Sequence, residues 1–306
     1  MKDQPANTRQ PHLAGQAKAH KRFAKLMFGA LAASTLFIAG TVIAQEFQPW
    51  SVSLGTPTYQ QADFTDINGH MKVTRAGLDL SYTKLAGGAW TFQAGIEQSR
   101  YSGRVSGVAS TDSASDARDI SVGATYFKGG NPWSWYLTAN THDSVAEDAD
   151  SGTGGYSEFG GGLLRAVSDK LVLGLAVAGR VEIEKDTSYA VVPYIEYNIN
   201  DHSRIGSVRS TDPSIGYTYV ISNNYEFYVV AHGAQRQYRL DKNTAVVDLE
   251  DGLRIGTTYH NQSGLTLEAF IGSVKRTLEY DRNGARLVDT DLDSTTFAGL
   301  GVSNRF

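Results

Sequence analysis

Residues 297–306 read Phe-Ala-Gly-Leu-Gly-Val-Ser-Asn-Arg-Phe. Ala298, Leu300, Val302, Asn304 and Phe306 form a stripe with a period of two that closes on an aromatic at the last position. A period of two belongs to a strand whose two faces meet different surroundings. The same alternation recurs toward the start of the chain. It is clearest in Leu171, Leu173, Leu175, Val177, Gly179, Val181 and Ile183, and it returns in Leu78, Leu80, Tyr82 and in Trp90, Phe92, Ala94, Ile96. Ile120, Val122, Ala124, Tyr126 and Trp133, Trp135, Leu137, Ala139 follow the same rule, as do Tyr189 to Tyr197, Ile215 to Ile221, Tyr225 to Ala231, Leu253 to Tyr259 and Leu265 to Ile271.

Between these stretches the connections alternate in length. Short turn-rich links fall at Lys84–Gly88, Lys128–Pro132, Ser168–Lys170, Asn200–His202, Ser222–Asn224 and His260–Gly264. Longer polar links are expected at Tyr59–His70, Ser102–Asp116, Asp143–Gly155, Leu240–Ala245 and Asp281–Asp291. Glu184–Thr187 and Ser210–Pro213 are short, although they sit where long links should be. The count comes to about 14 strands, from Trp50–Thr58 to Thr295–Phe306, with 12 as the alternative; His202–Arg209 is the stretch with least alternation. Trp50, Tyr82, Trp90, Tyr126, Trp133, Trp135, Tyr197, Tyr225, Tyr259 and Phe306 lie beside the short turns, while Tyr101, Tyr156, Tyr189, Tyr238 and Tyr280 lie near the opposite ends. Two levels of amphipathic rings are expected to form the girdles of a membrane barrel.

The first 44 residues are set apart as an export signal. Lys18, Lys21, Arg22 and Lys25 precede the uncharged run Leu26 to Ala44, and Val42 and Ala44 are the small residues of a cleavage site. Residues 45–306 then form one domain, without a linker or a break in composition. Nothing beyond residue 44 approaches 18 consecutive apolar residues, so a membrane crossing there must be made by strands closed into a barrel. Terminal aromatic, alternation and export signal together resemble bacterial outer-membrane β-barrel proteins, and the resemblance covers everything after residue 44. Size and loop pattern are also similar to those of several uncharacterised outer-membrane barrel families. The resemblance implies an all-β, transmembrane, antiparallel up-and-down barrel in the Gram-negative outer membrane. It implies that Phe306 is read as an insertion signal by the barrel assembly machinery, and that outer-membrane lipids and lipopolysaccharide are the surroundings. It implies no activity.

Charge narrows the functions. Residues 1–44 hold six basic side chains and one acidic one, taken from chain totals of 28 and 32, so the remainder carries a net charge near −9. That disfavours nucleic acid, whose binding is dominated by neutralised phosphates. There is no cysteine, hence no disulfide, thiolate metal site or cysteine nucleophile. If the apolar stripe faces lipid, the residues between face the lumen: Asp79, Glu97, Arg180, Glu182, Glu196, Glu226, Arg254, Glu268 and Arg276 carry its charge. The reading is a small passive diffusion channel with weak cation preference and no cofactor. The alternative is a structural or interaction barrel without conductance, in which Arg180, Arg254 and Arg276 pair with Glu182, Glu196 and Glu268.

A third reading is an outer-leaflet lipid hydrolase. His142-Asp143-Ser144 is similar to the His-x-Ser of outer-membrane phospholipase A and of the lipid A deacylase, where the imidazole deprotonates the serine and a third residue orients the ring. Glu158 would be that third residue. The phase argues against it, because Trp133 to Ala139 take the lipid face and turn His142 and Ser144 inward. Asp289, Asp291 and Asp293 have the opening spacing of a calcium loop, but Ser294 and Leu300 stand where it needs glycine and glutamate. No metal site is expected.

Overall fold

The computed structural model describes residues 48–65, 68–105, 116–147, 149–206 and 214–306. The expected export signal, residues 1–44, lies outside them. No helix is long and apolar enough to cross a membrane among the described residues. The chain is all β. β1 (Trp50–Gly55), β2 (Thr58–Tyr59) and β3 (Ala62–Asp63) are three short segments of one interrupted stave. β4 (Gly69–Leu85), β5 (Ala89–Val105), β6 (Ala117–Lys128), β7 (Trp133–Ala146) and β8 (Gly155–Ser168) follow. Then come β9 (Leu171–Val181), β10 (Ser188–Asn200), β11 (Ser203–Gly206) and β12 (Ser214–Ser222). β13 (Tyr225–Asp241), β14 (Thr244–His260), β15 (Thr266–Arg282) and β16 (Ala285–Arg305) complete the wall. Each pairs antiparallel with its neighbour, and β1 pairs with both β16 and β4. Sixteen segments therefore make a closed barrel of 14 staves. The last residue seals the seam: Trp50 N–H donates to the Phe306 carbonyl at 3.1 Å, and Phe306 N–H donates back at 3.0 Å.

The alternation has its expected physical meaning. On β9, Leu175 is 62% exposed while Ala176 beside it is 3% exposed. Leu78, Leu80, Phe92, Ile96, Val122, Leu137, Val191, Ile255, Ile271 and Leu300 share the outward face and make an apolar belt around the barrel. In water such a surface would be unfavourable at about 25 cal/mol per Å²; against lipid it is matched. Closing the strands leaves no edge and satisfies the ladder internally, which lipid demands. The girdle beside the short turns is present, with Trp50 against Tyr82, Trp90 against Tyr126, Tyr126 against Trp135 and Tyr225 against Tyr259, at ring separations of 4.6–5.1 Å.

The opposite end departs from the sequence reading in two ways. Of the five tyrosines expected in a second girdle, only Tyr189 is exposed; Tyr101, Tyr156, Tyr238 and Tyr280 are buried. They sit on the inward phase of their strands and pack inside the mouth. Second, the links expected at Leu240–Ala245 and Asp281–Asp291 are strands joined by tight turns. Asp241 pairs with Thr244 around Lys242-Asn243, and Arg282 pairs with Ala285 around Asn283-Gly284. Asn283 and Gly284 both have positive φ, 51° and 76°. That is the left-handed pair that a two-residue hairpin needs, and Asn-Gly supplies it at low cost. The polar residues there misled the reading because the strands rise beyond the apolar belt.

Candidate functional site

The interior is arranged in levels. Near the short turns the lumen face of β6–β10 is apolar: Tyr136, Leu164, Ala176 and Ala178 are buried together, with Phe127, Val172, Val192 and Tyr194 against them. Gly162 allows this, since a Cβ there would come within 2.5 Å of the Tyr136 ring. The face of β1, β4, β5 and the adjoining part of β7 is polar. Thr83 and Thr91 bond at 3.0 Å, and Gln93 Nε2 donates to Asn140 Oδ1 at 2.7 Å.

Higher up, a buried ionic cluster lies across the lumen. Arg75 is fully buried and donates from Nη1 to Glu250, from Nη2 to Asp248 at 2.6 Å and from Nε to Ser99 Oγ at 3.1 Å. Arg276 contacts the same two carboxylates and lies over the Tyr59 ring, 4.1 Å from its centre. Tyr59 donates to Glu250 at 3.1 Å and Tyr101 to Asp248 at 2.9 Å. With Arg236 3.6 Å from Glu250, three guanidiniums thus meet two carboxylates, with phenol groups filling further acceptor sites. A buried pair needs such extra bonds, because desolvation otherwise exceeds the Coulombic gain. Met71, Val73, Val246, Val274, Leu278 and Leu292 surround the cluster.

The outer half of the β13–β14 hairpin carries Asp248 and Glu250 into this place. Among the described residues β13 pairs with β12 only as far as Ser214 opposite His232. Beyond that point it bridges to β7, with Arg239 opposite Val145 in parallel. The hairpin therefore reaches over to β7 on one side, while β14 stays paired with β15 along its whole length, from Thr244 opposite Arg282 to His260 opposite Thr266. Both of its faces are covered: every residue from Thr244 to Glu250 is buried. One face joins the ionic cluster. On the other, Ala245 packs with Tyr156 and Ile183, Gln237 Oε1 accepts from the Ile183 N–H at 3.0 Å, and Arg239 pairs with Glu184.

The charged residues expected in the lumen are distributed over all these levels. Arg180 bonds to Glu158 on the neighbouring stave. Glu97 pairs with Arg236 at 2.8 Å. Arg276 belongs to the ionic cluster, and Arg254 lies over the rings of Tyr228 and Phe270. Glu268 accepts from Tyr228, and Glu196 accepts from Tyr194 at 2.9 Å. Glu226 is 3.4 Å from Arg204. Glu182 lies in the connection after β9, where Ser188 donates to it at 3.0 Å. Of the pairing considered for a braced lumen, Arg180, Arg254 and Arg276 with Glu182, Glu196 and Glu268, Arg180 is found on Glu158 and Arg276 on Asp248 and Glu250. Sequence reasoning missed Arg75, Arg236, Asp248 and Glu250. Counting inward by twos from Asp79 or from Arg254 would have reached Arg75, Glu250 and Asp248.

The His-x-Ser residues face inward. His142 Nδ1 lies 3.0 Å from Asp119 Oδ2, and its ring stacks on Tyr156 at 4.3 Å. Glu158, the expected orienting acid, is held by Arg180, so Asp119 takes that position. Ser144 is buried and makes no hydrogen bond to the ring among the described residues. This placement keeps the group away from the lipid leaflet. No group of metal-ligating side chains occurs among the described residues.

A cavity of about 380 Å³ lies between these elements, below the hairpin. Asp79, Glu97, Asp119 and Glu158 line it, as do Arg180 and Arg236. Outside the belt, at the tips of β15 and β16, Lys185, Glu279, Asp281 and Arg286 form a second ionic network, with Lys185 2.6 Å from Asp281. Burial pushes the Glu279 carboxyl up there, against the pull of Arg286 and Lys185.

The sequence matches no family model and no curated protein. Similar solved structures are outer-membrane barrels. The toluene transporter TodX of Pseudomonas putida is 12% identical over 84% of this chain and 90% of its own, with a TM-score of 0.36. The transport unit of the autotransporter AIDA-I from Escherichia coli is 11% identical over 93% and 97%, also at 0.36. The translocator domain of the autotransporter NalP from Neisseria meningitidis is 12% identical over 96% and 97%, again at 0.36.

Proposed function

We propose that this protein is an outer-membrane channel for small solutes, weakly selective for cations. The observation that carries the reading is the cavity. A 14-stave barrel is wider than side chains alone fill, and here about 380 Å³ remains, lined by four carboxylates against two guanidiniums. Low-dielectric walls focus the field of lining charges, so an acidic passage concentrates cations. In planar bilayers the folded protein should conduct, with a reversal potential on the cation side that falls as salt is raised. Asp79→Asn removes one lining charge and should move the reversal potential toward neutrality without changing assembly. The same reading leaves outer-membrane lipid and lipopolysaccharide at the apolar belt and Phe306 to the assembly machinery.

A second reading has its own observation. The hairpin and the Arg75 cluster fill the mouth with buried side chains, as a barrel of purely structural duty would. Absence of conductance from a correctly folded sample, over a range of voltages, decides for it.

A further inference from the structure

The wall of the cavity carries a row of polar side chains on neighbouring staves. Asp119 on β6, His142 on β7, Tyr156 and Glu158 on β8 and Arg180 on β9 lie on consecutive staves, all on the inner face. The register places them side by side: Asp119 opposite Ser144, His142 opposite Tyr156 and Glu158 opposite Arg180. Across the cavity stand Asp79 on β4, Glu97 on β5 and Arg236 on β13.

The charges are not equally available. Arg180 is bonded to Glu158 and its side chain is 7% exposed, so its charge is spent within the wall. Arg236 is spent on Glu97 and on the buried Glu250. The Asp119 carboxylate has only the imidazole of His142 as a charge partner in the row. Oδ2 takes the ring nitrogen, and the Asp119 side chain, 21% exposed, borders the cavity. Next to it the His142 and Tyr156 rings are stacked with 6° between their planes and lie in the cavity lining. Carboxylate beside aromatic ring is the combination that recognises an organic ammonium. The N–H groups donate to the oxygens, and the positive charge is attracted to the π face. A volume near 380 Å³ falls within the usual range for a small-molecule site.

We infer that the cavity is a saturable site for a small primary organic ammonium, with Asp119 as its counter-ion and the His142–Tyr156 stack as its aromatic wall. The inference rests on the channel reading for the solute's route, and names the kind of solute. Hydrated inorganic cations would pass the same wall without using the stack. Quaternary ammonium would use the stack but bring no N–H to the carboxylate. Neutral alcohols would lack the charge.

The test is isothermal titration calorimetry on the full folded barrel in detergent, with phenethylammonium chloride as the probe. 2-Phenylethanol and choline serve as comparison ligands. The expected result is saturable binding of phenethylammonium, at least tenfold tighter than either comparison. Asp119→Asn should weaken it at least tenfold. Asp119→Glu, which keeps the charge, should recover part of that loss. Heat-modifiable gel migration confirms that each variant is assembled; if Asp119→Asn fails to assemble, Tyr156→Leu takes its place with the same expected loss. Equal affinity for the amine and the alcohol overturns the inference, as does affinity unchanged by the substitution or the absence of saturable binding. Bilayer recording on the same samples separates the two readings. Binding without conductance removes the channel and keeps the site, whereas conductance without binding removes the site and keeps the channel.

Discussion

Staves β9–β10 and β13–β16 belong to one wall but end at different heights. The first two run 11 and 13 residues, the others 17, 17, 17 and 21. A tilted crossing of the membrane takes about 9–11 residues, so the short staves scarcely exceed the belt and the long ones rise well beyond it. Within the belt both groups obey one rule, apolar outward and small or polar inward. Above it the long staves change character. With no lipid beside them they need another way to cover their apolar side chains. The β13–β14 hairpin finds it by reaching over to β7, across the side where the wall is low. The contrast teaches that a barrel's alternation reports its lipid, and that it ends where the lipid ends.

The comparison breaks most readily at Arg75. Arg75→Ala leaves Asp248 and Glu250 buried with Arg276 as their close cationic partner, and removing one side of a buried ionic group costs roughly 3–5 kcal/mol. Urea titration of the protein folded into lipid vesicles should show a loss of that size. A midpoint at the wild-type value would mean that the cluster is solvated and the mouth open. Next comes the lower wall. Leu175→Arg places a cation on the lipid face and should cost about 2–4 kcal/mol if it lies near the midplane. Ser53→Arg points into the cavity and should assemble normally. Similar assembly defects in both would reverse the two faces. The smallest effect belongs to the link between hairpin and wall. Arg236 pairs with the part-exposed Glu97 and also stands 3.6 Å from the buried Glu250; Arg75 and Arg276 still hold Glu250 without it, so Arg236→Ala should cost about 1–3 kcal/mol, below the loss at Arg75. Trypsin cleavage at Lys242, in the hairpin turn, should rise modestly. A rise matching that of Arg75→Ala would shift the anchoring role from the cluster to this pair.

The sequence discloses the belt and hides the mouth, and the reason is physical. Leu171 to Val181 has lipid on one side only, so its pattern is regular and readable. Thr244 to Glu250 is covered on both sides, and Ala-Val-Val-Asp-Leu-Glu then shows no face to count. Asn283-Gly284 carried the signature of a tight hairpin, yet the acidic residues around it suggested a loop. The candidate site was legible in part. Asp79, Glu97 and Arg180 follow from phase alone, whereas Asp119 as the partner of His142 depends on the register of β6 against β7, which no single-strand pattern contains. Arg75 with Glu250 joins residues 175 positions apart, a contact set by the fold of the hairpin.

The central claim is that this hairpin reaches over to β7, and a disulfide tests it directly. The chain has no cysteine, so Val145→Cys with Arg239→Cys introduces one pair. Bridged strands lie about 4.8 Å apart, inside the span of roughly 4.4–6.8 Å between Cα atoms that a disulfide accepts. Mild oxidation of the assembled barrel should link the pair, producing a shift in gel migration that reductant reverses. If the hairpin instead stood upright, β7 and β13 would face each other across the barrel. The thiols would then stay free, and that result would contradict the account.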